Sequence, residues 1–222
     1  MSHTFSRDYA ALLFDMDGTL LNSIALVERI WREWADDHGV DADALMHRIH
    51  GIRAVEVVRA EGIAGLDPER EAAILLEREL ATVEGVVAIE GIHQFLETLP
   101  KDRWAIVTSA PRSLAELRLG AVGITPPDIM IAGEDVVNGK PDPEGYLKGA
   151  AALGVDPADC VVFEDAHAGI DAAKRAGAAV VVISATHSTP MDVPHPKIDN
   201  YDVIGAELTE NGRIRLTMRE AD

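Results

Sequence analysis

Apolar residues fall along this chain in two rhythms. Short unbroken runs occur at Ala10–Phe14, Trp104–Thr108, Cys160–Phe163 and Ala179–Ile183, each bounded by polar or turn-forming residues. Such runs predict strands buried on both faces, as in a parallel sheet. Elsewhere the apolar positions recur at helical spacing. Ile24, Val27, Ile30, Trp31 and Trp34 form one stripe that ends at Gly39, with Ser23 as its N-cap, and the two tryptophans read as core packing. The same spacing predicts helices from Ala42 to about His50, over Ala54–Glu61, and from Asp67-Pro68 towards Val83, where the Asp-Pro pair supplies an N-cap and a first-turn proline.

Past Gly85 the rhythms alternate. Helices are predicted at Ile92–Leu99, Ser113–Leu119, Glu144–Leu153 and Ala168–Ala176, with a further strand at Asp128–Ile131. Strands alternating with helices imply right-handed crossovers and a parallel sheet, hence an α/β fold. No strand pattern interrupts Ile24–Glu84, so an all-helical cap domain (residues 22–84) is expected as an insert in a core formed by residues 1–21 and 85–222. The tail changes character again. Val203–Leu208 and Ile214–Met218 flank Asn211-Gly212, the signature of a β-hairpin.

Composition narrows the function classes. The chain has 222 residues, 47% of them hydrophobic, enough for a core domain and a small insert. The formal net charge of −18 argues against nucleic acid or an anionic membrane as partner, because phosphate backbones need a basic face. No apolar run approaches a membrane span, and Met1–Tyr9 lacks an apolar leader segment. A single cysteine, Cys160, allows no internal disulfide, and its apolar flank predicts a buried thiol. A cytoplasmic protein is the expectation.

The candidate chemistry sits where predicted strands end. Asp15 and Asp17 close the first strand, and Gly18 lets the chain turn. Carboxylates held close together repel, and each loses several kcal/mol of hydration unless a cation compensates; Mg²⁺, a hard ion for oxygen ligands, is the natural one. Glu164 and Asp165 repeat this logic at the end of another strand. Thr108, Ser109 and Ala110 offer a hydroxyl and backbone N–H groups just before a helix, either as a phosphate cradle or as an ordinary N-cap. Lys140 is held between Gly139 and Pro141, a rigidly presented ammonium suited to phosphate or to crowded carboxylates, without the glycine-rich run of a P-loop. Taken singly, each feature has an innocent alternative: a solvated turn, a helix cap, a surface lysine.

Their order along the chain is more specific. Phe14-Asp15-Met16-Asp17-Gly18-Thr19-Leu20 resembles motif I of the haloacid-dehalogenase superfamily, and Ser109, Lys140 and Phe163–Gly177 are similar to its motifs II, III and IV. The resemblance implies a Rossmann-like parallel sheet core, with Asp15 as nucleophile, Asp17 as general acid/base, and Ser109 and Lys140 completing the catalytic set. It also implies Mg²⁺ held by Asp15, the Asp17 carbonyl and Asp165, with Glu164 on a metal-bound water. His50–Arg53, Trp104–Ser109, Asn138–Tyr146 and Val161–Gly169 resemble most closely the sugar and polyol phosphatases of the 2-deoxyglucose-6-phosphate phosphatase and glycerol-phosphatase type. The implied activity is Mg²⁺-dependent hydrolysis of a small-molecule phosphomonoester through an aspartyl phosphate, by a monomer or weak dimer.

Rival readings differ at named residues. A dehalogenase would lack Asp17; a β-phosphoglucomutase-type phosphosugar mutase often carries His at the cap position that is Val27 here; a non-catalytic phosphate-sensing module would have no need of Asp17 beside the nucleophile. Asp15, Asp17, Glu164 and Asp165 bring four negative charges if all are ionised, and phosphate adds about two more. Mg²⁺ and Lys140 do not offset them all, so either Asp17 is protonated at some stage or a further cation is present. Arg53, beside His50 in the cap, and Arg112, beside Ala110 in the core, are the candidates; these four residues form the expected substrate contacts.

Overall fold

The computed structural model describes residue 5 and residues 7–219; the expectation that Met1–Tyr9 lacks an apolar leader segment falls largely outside them. Strands β1 (Ala11–Phe14) and β2 (Leu21–Asn22) precede four helices: α1 (Ile24–His38), α2 (Ala42–Ile49), α3 (Ala54–Glu61) and α4 (Pro68–Leu80). Strand β3 (Val87–Ala88) and helix α5 (Ile92–Glu97) follow, then β4 (Trp104–Val107), α6 (Arg112–Ala121), β5 (Met130–Ile131), α7 (Glu144–Ala152), β6 (Cys160–Glu164), α8 (His167–Ala176) and β7 (Ala179–Ile183). The chain ends with β8 (Lys197–Ile198), β9 (Ile204–Leu208) and β10 (Ile214–Met218).

The expected α/β fold is present. Six strands form a sheet in the order β5-β4-β1-β6-β7-β8, and all five pairings are parallel. β1, β4 and β6 are buried at every position, which is why they read as unbroken apolar runs. On one face Phe14 stacks on Phe163 at 4.8 Å between ring centroids, with Trp104, Phe95 and Tyr201 around them. Each large apolar side chain buried there contributes about 1.5–3 kcal/mol. On the other face Leu13 and Val107 meet α7 at Gly149, where a Cβ would lie 3.0 Å from Val107. The register sets Phe14 opposite Ile106 and Phe163, so the chain segments leaving β1, β4 and β6 emerge side by side at one edge. In such sheets that edge binds ligands.

Helices α1–α4 fill the interval between β2 and β3, which pair antiparallel to each other outside the main sheet. Two residues per strand carry no readable alternation, so the sequence pattern passed over this ribbon. Of the predicted stripe, Ile30, Trp31 and Trp34 are buried while Ile24 and Val27 are half-buried, and Leu26, outside that stripe, is buried instead. The insert's apolar residues run without a break into those around Phe14. Asp41 and Asp67 cap α2 and α4 through their side chains. The Ser23 hydroxyl does not cap α1; the Asn22 side chain accepts from Ile24 N instead. The strand expected from Asp128 is shorter, Met130–Ile131, and β8 was not anticipated. The hairpin forms as predicted, β9 with β10. Cys160 is buried, and burial pushes its thiol up to about 12. No helix among the described residues is long and apolar enough to cross a membrane.

Candidate active site

Asp15, Glu164 and Asp165 converge at the ends of β1 and β6, each buried, with one oxygen from each within 4.8 Å of the others. The Lys140 ammonium reaches into the cluster and donates to Asp15 Oδ1 at 2.5 Å and to Glu164 Oε1 at 2.7 Å. Tyr146 OH donates to the same Glu164 oxygen at 3.0 Å, while Oε2 accepts from the backbone N–H groups of Asp165 and Ala166. Glu164 is therefore held on all sides. A Cβ on Gly169 would fall 1.5 Å from Glu164 Oε1, so α8 can pack here only because that position has none. Gly18, at φ +89°, plays the same part for Asp165, whose Oδ2 would lie 2.0 Å from a Cβ there.

Burial first, opposed by Lys140 and helped by the charges of Glu164 and Asp17, raises the Asp15 carboxyl to about 8. Asp165 is raised well above the usual carboxylate range, by burial first and then by Glu164 and Asp15. For Lys140 burial acts downward, but the carboxylates of Asp15 and Glu164 outweigh it and hold the ammonium protonated beyond its ordinary range. The shifts of Asp15 and Asp165 both favour the neutral carboxyl where a divalent cation would otherwise supply the compensating charge. The donor set, three buried carboxylates with mutually close oxygens, fits a hard ion.

Asp17 stands apart from this cluster. Its Oδ1 accepts from Ser23 Oγ at 2.5 Å and from Arg118 Nη1 at 2.9 Å. A buried arginine on core helix α6, Arg118, is the cation set against Asp17, and neither of the two anticipated arginines contacts Asp17. One sequence signal was available. Leu114, Ala115, Arg118 and Leu119 share the buried stripe of α6, and an arginine on an apolar stripe needs an acid. Thr19, which donates to Asp165 Oδ1, and Tyr146 were also passed over as site residues.

The expected substrate contacts are placed as follows. Ser109 does not cap α6, which begins at Arg112; its hydroxyl donates to the Gly51 carbonyl of the insert at 2.8 Å. Gly51, at φ +75°, rests on the core so closely that a Cβ would lie 2.9 Å from that of Ala166. The Ala110 amide is already engaged by Thr108 Oγ1. Arg53 donates to the carbonyls of Gly133, Val136 and Val137 and pairs with Glu56 at 2.6 Å, bracing the insert against the loop that leads to Lys140. His50 lies 3.4 Å from Glu28, and burial lowers its pKa. Arg112 is turned to Asp135 and the Met130 carbonyl and lines neither of the cavities at this edge.

A cleft of about 910 Å³ opens between α1–α3 and the segments after β6 and β7, with Glu28, His50, Glu56, Asp165 and His187 among its walls. His187 Nε2 lies 2.8 Å from the Asp165 carbonyl, and Nδ1 is buried with no partner among the described residues. A second, far smaller gap is bordered by Arg53, Ser109 and Lys140. The larger cleft meets the carboxylates at Asp165, and the seated Gly51 loop closes the edge beside it.

A parallel sheet gathers buried carboxylates and one lysine at its ligand-binding edge, beneath a helical insert. Residues 9–177 match the family model described as haloacid dehalogenase-like hydrolase, and the chain belongs to that family. It is 38% identical to hexitol phosphatase A of Escherichia coli over 80% of this chain and 84% of that protein. It is 35% identical to 2-deoxyglucose-6-phosphate phosphatase 1 of Saccharomyces cerevisiae over 82% of each chain. Among solved structures, CbbY from Rhodobacter sphaeroides in complex with phosphate superposes with a TM-score of 0.73 at 25% identity, covering 87% of this chain and 95% of that one. With these relatives, the chain is a phosphoric monoester hydrolase.

Proposed function

We propose that this chain is a Mg²⁺-dependent phosphatase of small sugar or polyol phosphates, working through an aspartyl phosphate on Asp15. The observation that carries the reading is the buried contact of Asp15 with Lys140, set beside Asp165 and apart from the anchored Asp17. An Asp15 oxygen attacks phosphorus in line, the bond to the substrate oxygen breaks, and Asp17 gives that oxygen its proton. Asp17 then takes a proton from the water that attacks phosphorus and frees Asp15. Lys140 favours the ionised, nucleophilic form of Asp15, which burial opposes. Mg²⁺, held by Asp15, Asp165 and the Asp17 carbonyl, with Glu164 beside it, would supply charge neutralisation at the transferring phosphoryl oxygens.

Residues 22–84 serve on this reading as a cap, with the β2–β3 ribbon as its connection to the core. The Gly51 loop must lift from Ser109 and Ala166 to admit phosphate to Asp15. The cleft walls support the substrate class: Glu28, His50, Glu56 and His187 offer donors and acceptors for hydroxyl groups, and the relatives named above act on hexitol and deoxyglucose phosphates. Phosphate release from a hexitol phosphate, glycerol 1-phosphate and 2-deoxyglucose 6-phosphate, with Mg²⁺ and with EDTA, tests the proposal. Turnover that needs Mg²⁺ and favours these over nucleotide phosphates supports it; full turnover in EDTA refutes it.

A further inference from the structure

Arg118 is an expensive residue to bury. It is 3% exposed, on the apolar stripe of α6, and its Nε and Nη2 atoms have no hydrogen-bond partner among the described residues. A guanidinium stripped of water and left partly unsatisfied is destabilising, and only the contacts it keeps offset that. Those contacts are few. Nη1 donates to Asp17 Oδ1 at 2.9 Å, and Nη2 stands 3.6 Å from Glu79 Oε2, contributed by α4 of the insert. Ser23 Oγ donates to the same Asp17 oxygen at 2.5 Å. Both donors thus fall on Oδ1, and among the described residues none reaches Oδ2.

We propose that Arg118 is a positioning residue for the proton-transfer step: with Ser23 it fixes the Asp17 carboxyl by Oδ1 and reserves Oδ2 to carry the proton. The inference rests on the phosphatase reading and on Asp17 as its acid/base. A carboxyl with both oxygens free would rotate, and its proton would spend part of its time aimed away from the leaving oxygen. Two donors on one oxygen remove that freedom, because a protonated Oδ1 would have to face two N–H or O–H groups. Glu79 stands opposite from the insert helix α4, its carboxyl raised to about 7 by burial against the pull of Arg118, so it is a second but only part-ionised partner for the guanidinium. Arg118 therefore links the insert helix α4 to the acid/base by one side chain.

The test separates a proton-transfer role from a structural one through the leaving group. A sugar or polyol alkoxide needs its proton as the P–O bond breaks, whereas p-nitrophenolate leaves without one. Arg118→Met should lower kcat/KM on a hexitol phosphate or glycerol 1-phosphate by about 10–100-fold, the usual loss for a hydrogen bond to a charged group. On p-nitrophenyl phosphate it should change kcat/KM less than about 3-fold, since that parameter ends at P–O cleavage. Arg118→Lys should recover part of the alkyl-phosphate rate, and Ser23→Ala should show the same selectivity with a smaller loss. If Arg118→Met does not fold, the Lys and Ser23 variants carry the comparison. Equal losses on both substrates, or no loss on either, overturn the inference while wild-type turnover leaves the phosphatase reading intact. A wild type inactive on every phosphomonoester removes that reading, and the inference with it.

Discussion

Replacing Glu164 with glutamine asks what holds the carboxylate cluster in place. The side chain keeps its size, but its four partners, Lys140 Nζ, Tyr146 OH and the N–H groups of Asp165 and Ala166, are all donors in the structure. An amide has one accepting end. With its NH₂ turned to Asp165 and Ala166, two buried backbone donors lose their acceptor, each costing about 1–3 kcal/mol. With the NH₂ turned the other way, Tyr146 can rotate its hydroxyl to accept, and only Lys140 faces a donor. This second orientation is the cheaper one. Lys140 still has Asp15, so the loss is smaller than for a fully orphaned buried charge. Gly169 lies against the Oε1 side and leaves the amide no room to swing away. Glu164 is one of the charges that raise the Asp15 carboxyl, so its loss eases Asp15 towards the ionised form that pairs with Lys140. The net cost is about 2–4 kcal/mol, a fall in Tm of roughly 4–16 °C for a chain of this size. Thermal unfolding at pH 7 in EDTA, followed by circular dichroism, measures it. A Tm within about 1 °C of wild type would show that the four donors do not depend on a carboxylate.

Because Asp15 and Asp165 are raised in the folded chain, that chain keeps protons which the unfolded one releases at ordinary carboxylate pH. These groups therefore lower metal-free stability as pH climbs from 3.8 towards about 8. Mg²⁺ displaces the same protons, so the rise in Tm on adding saturating Mg²⁺ should grow between about pH 6 and pH 8; paired melts in Mg²⁺ and EDTA check this, and a constant increment contradicts it. Gly169→Ala should displace Glu164 and weaken Mg²⁺ binding by about 10-fold or more, as outer-shell changes do, read by titration calorimetry; wild-type affinity would show that the helix shifts instead. Arg53→Ala removes the brace between the insert and the Gly133–Val137 carbonyls. Hydrogen exchange at residues 133–140 should then quicken while that of β1 and β6 stays as in wild type. Unchanged exchange there would leave Arg53 without a bracing role.

What the sequence determined by itself is whatever depends on local periodicity and local capping. β1, β4, β6 and β7 are buried almost throughout and apolar up to Glu164, the last residue of β6, so their runs and the acids that end β1 and β6 were legible. Asp41 and Asp67 bond to amides two or three residues away, and Asn211-Gly212 closes a turn on itself, so these too needed no wider context. The side-chain partners at the site obey another rule. Ser23 and Ser109 both stand where a helix cap is expected, yet their hydroxyls go to Asp17 and to the Gly51 carbonyl, because the fold brings stronger or less satisfied acceptors within reach. Asp17 and Arg118 lie 101 positions apart, and Arg53 reaches carbonyls more than 80 positions away. Which buried donor meets which acceptor is decided by strand order, register and the seating of the insert. A buried charge must be answered by whatever the tertiary structure sets beside it, and that neighbour leaves no mark in the local pattern.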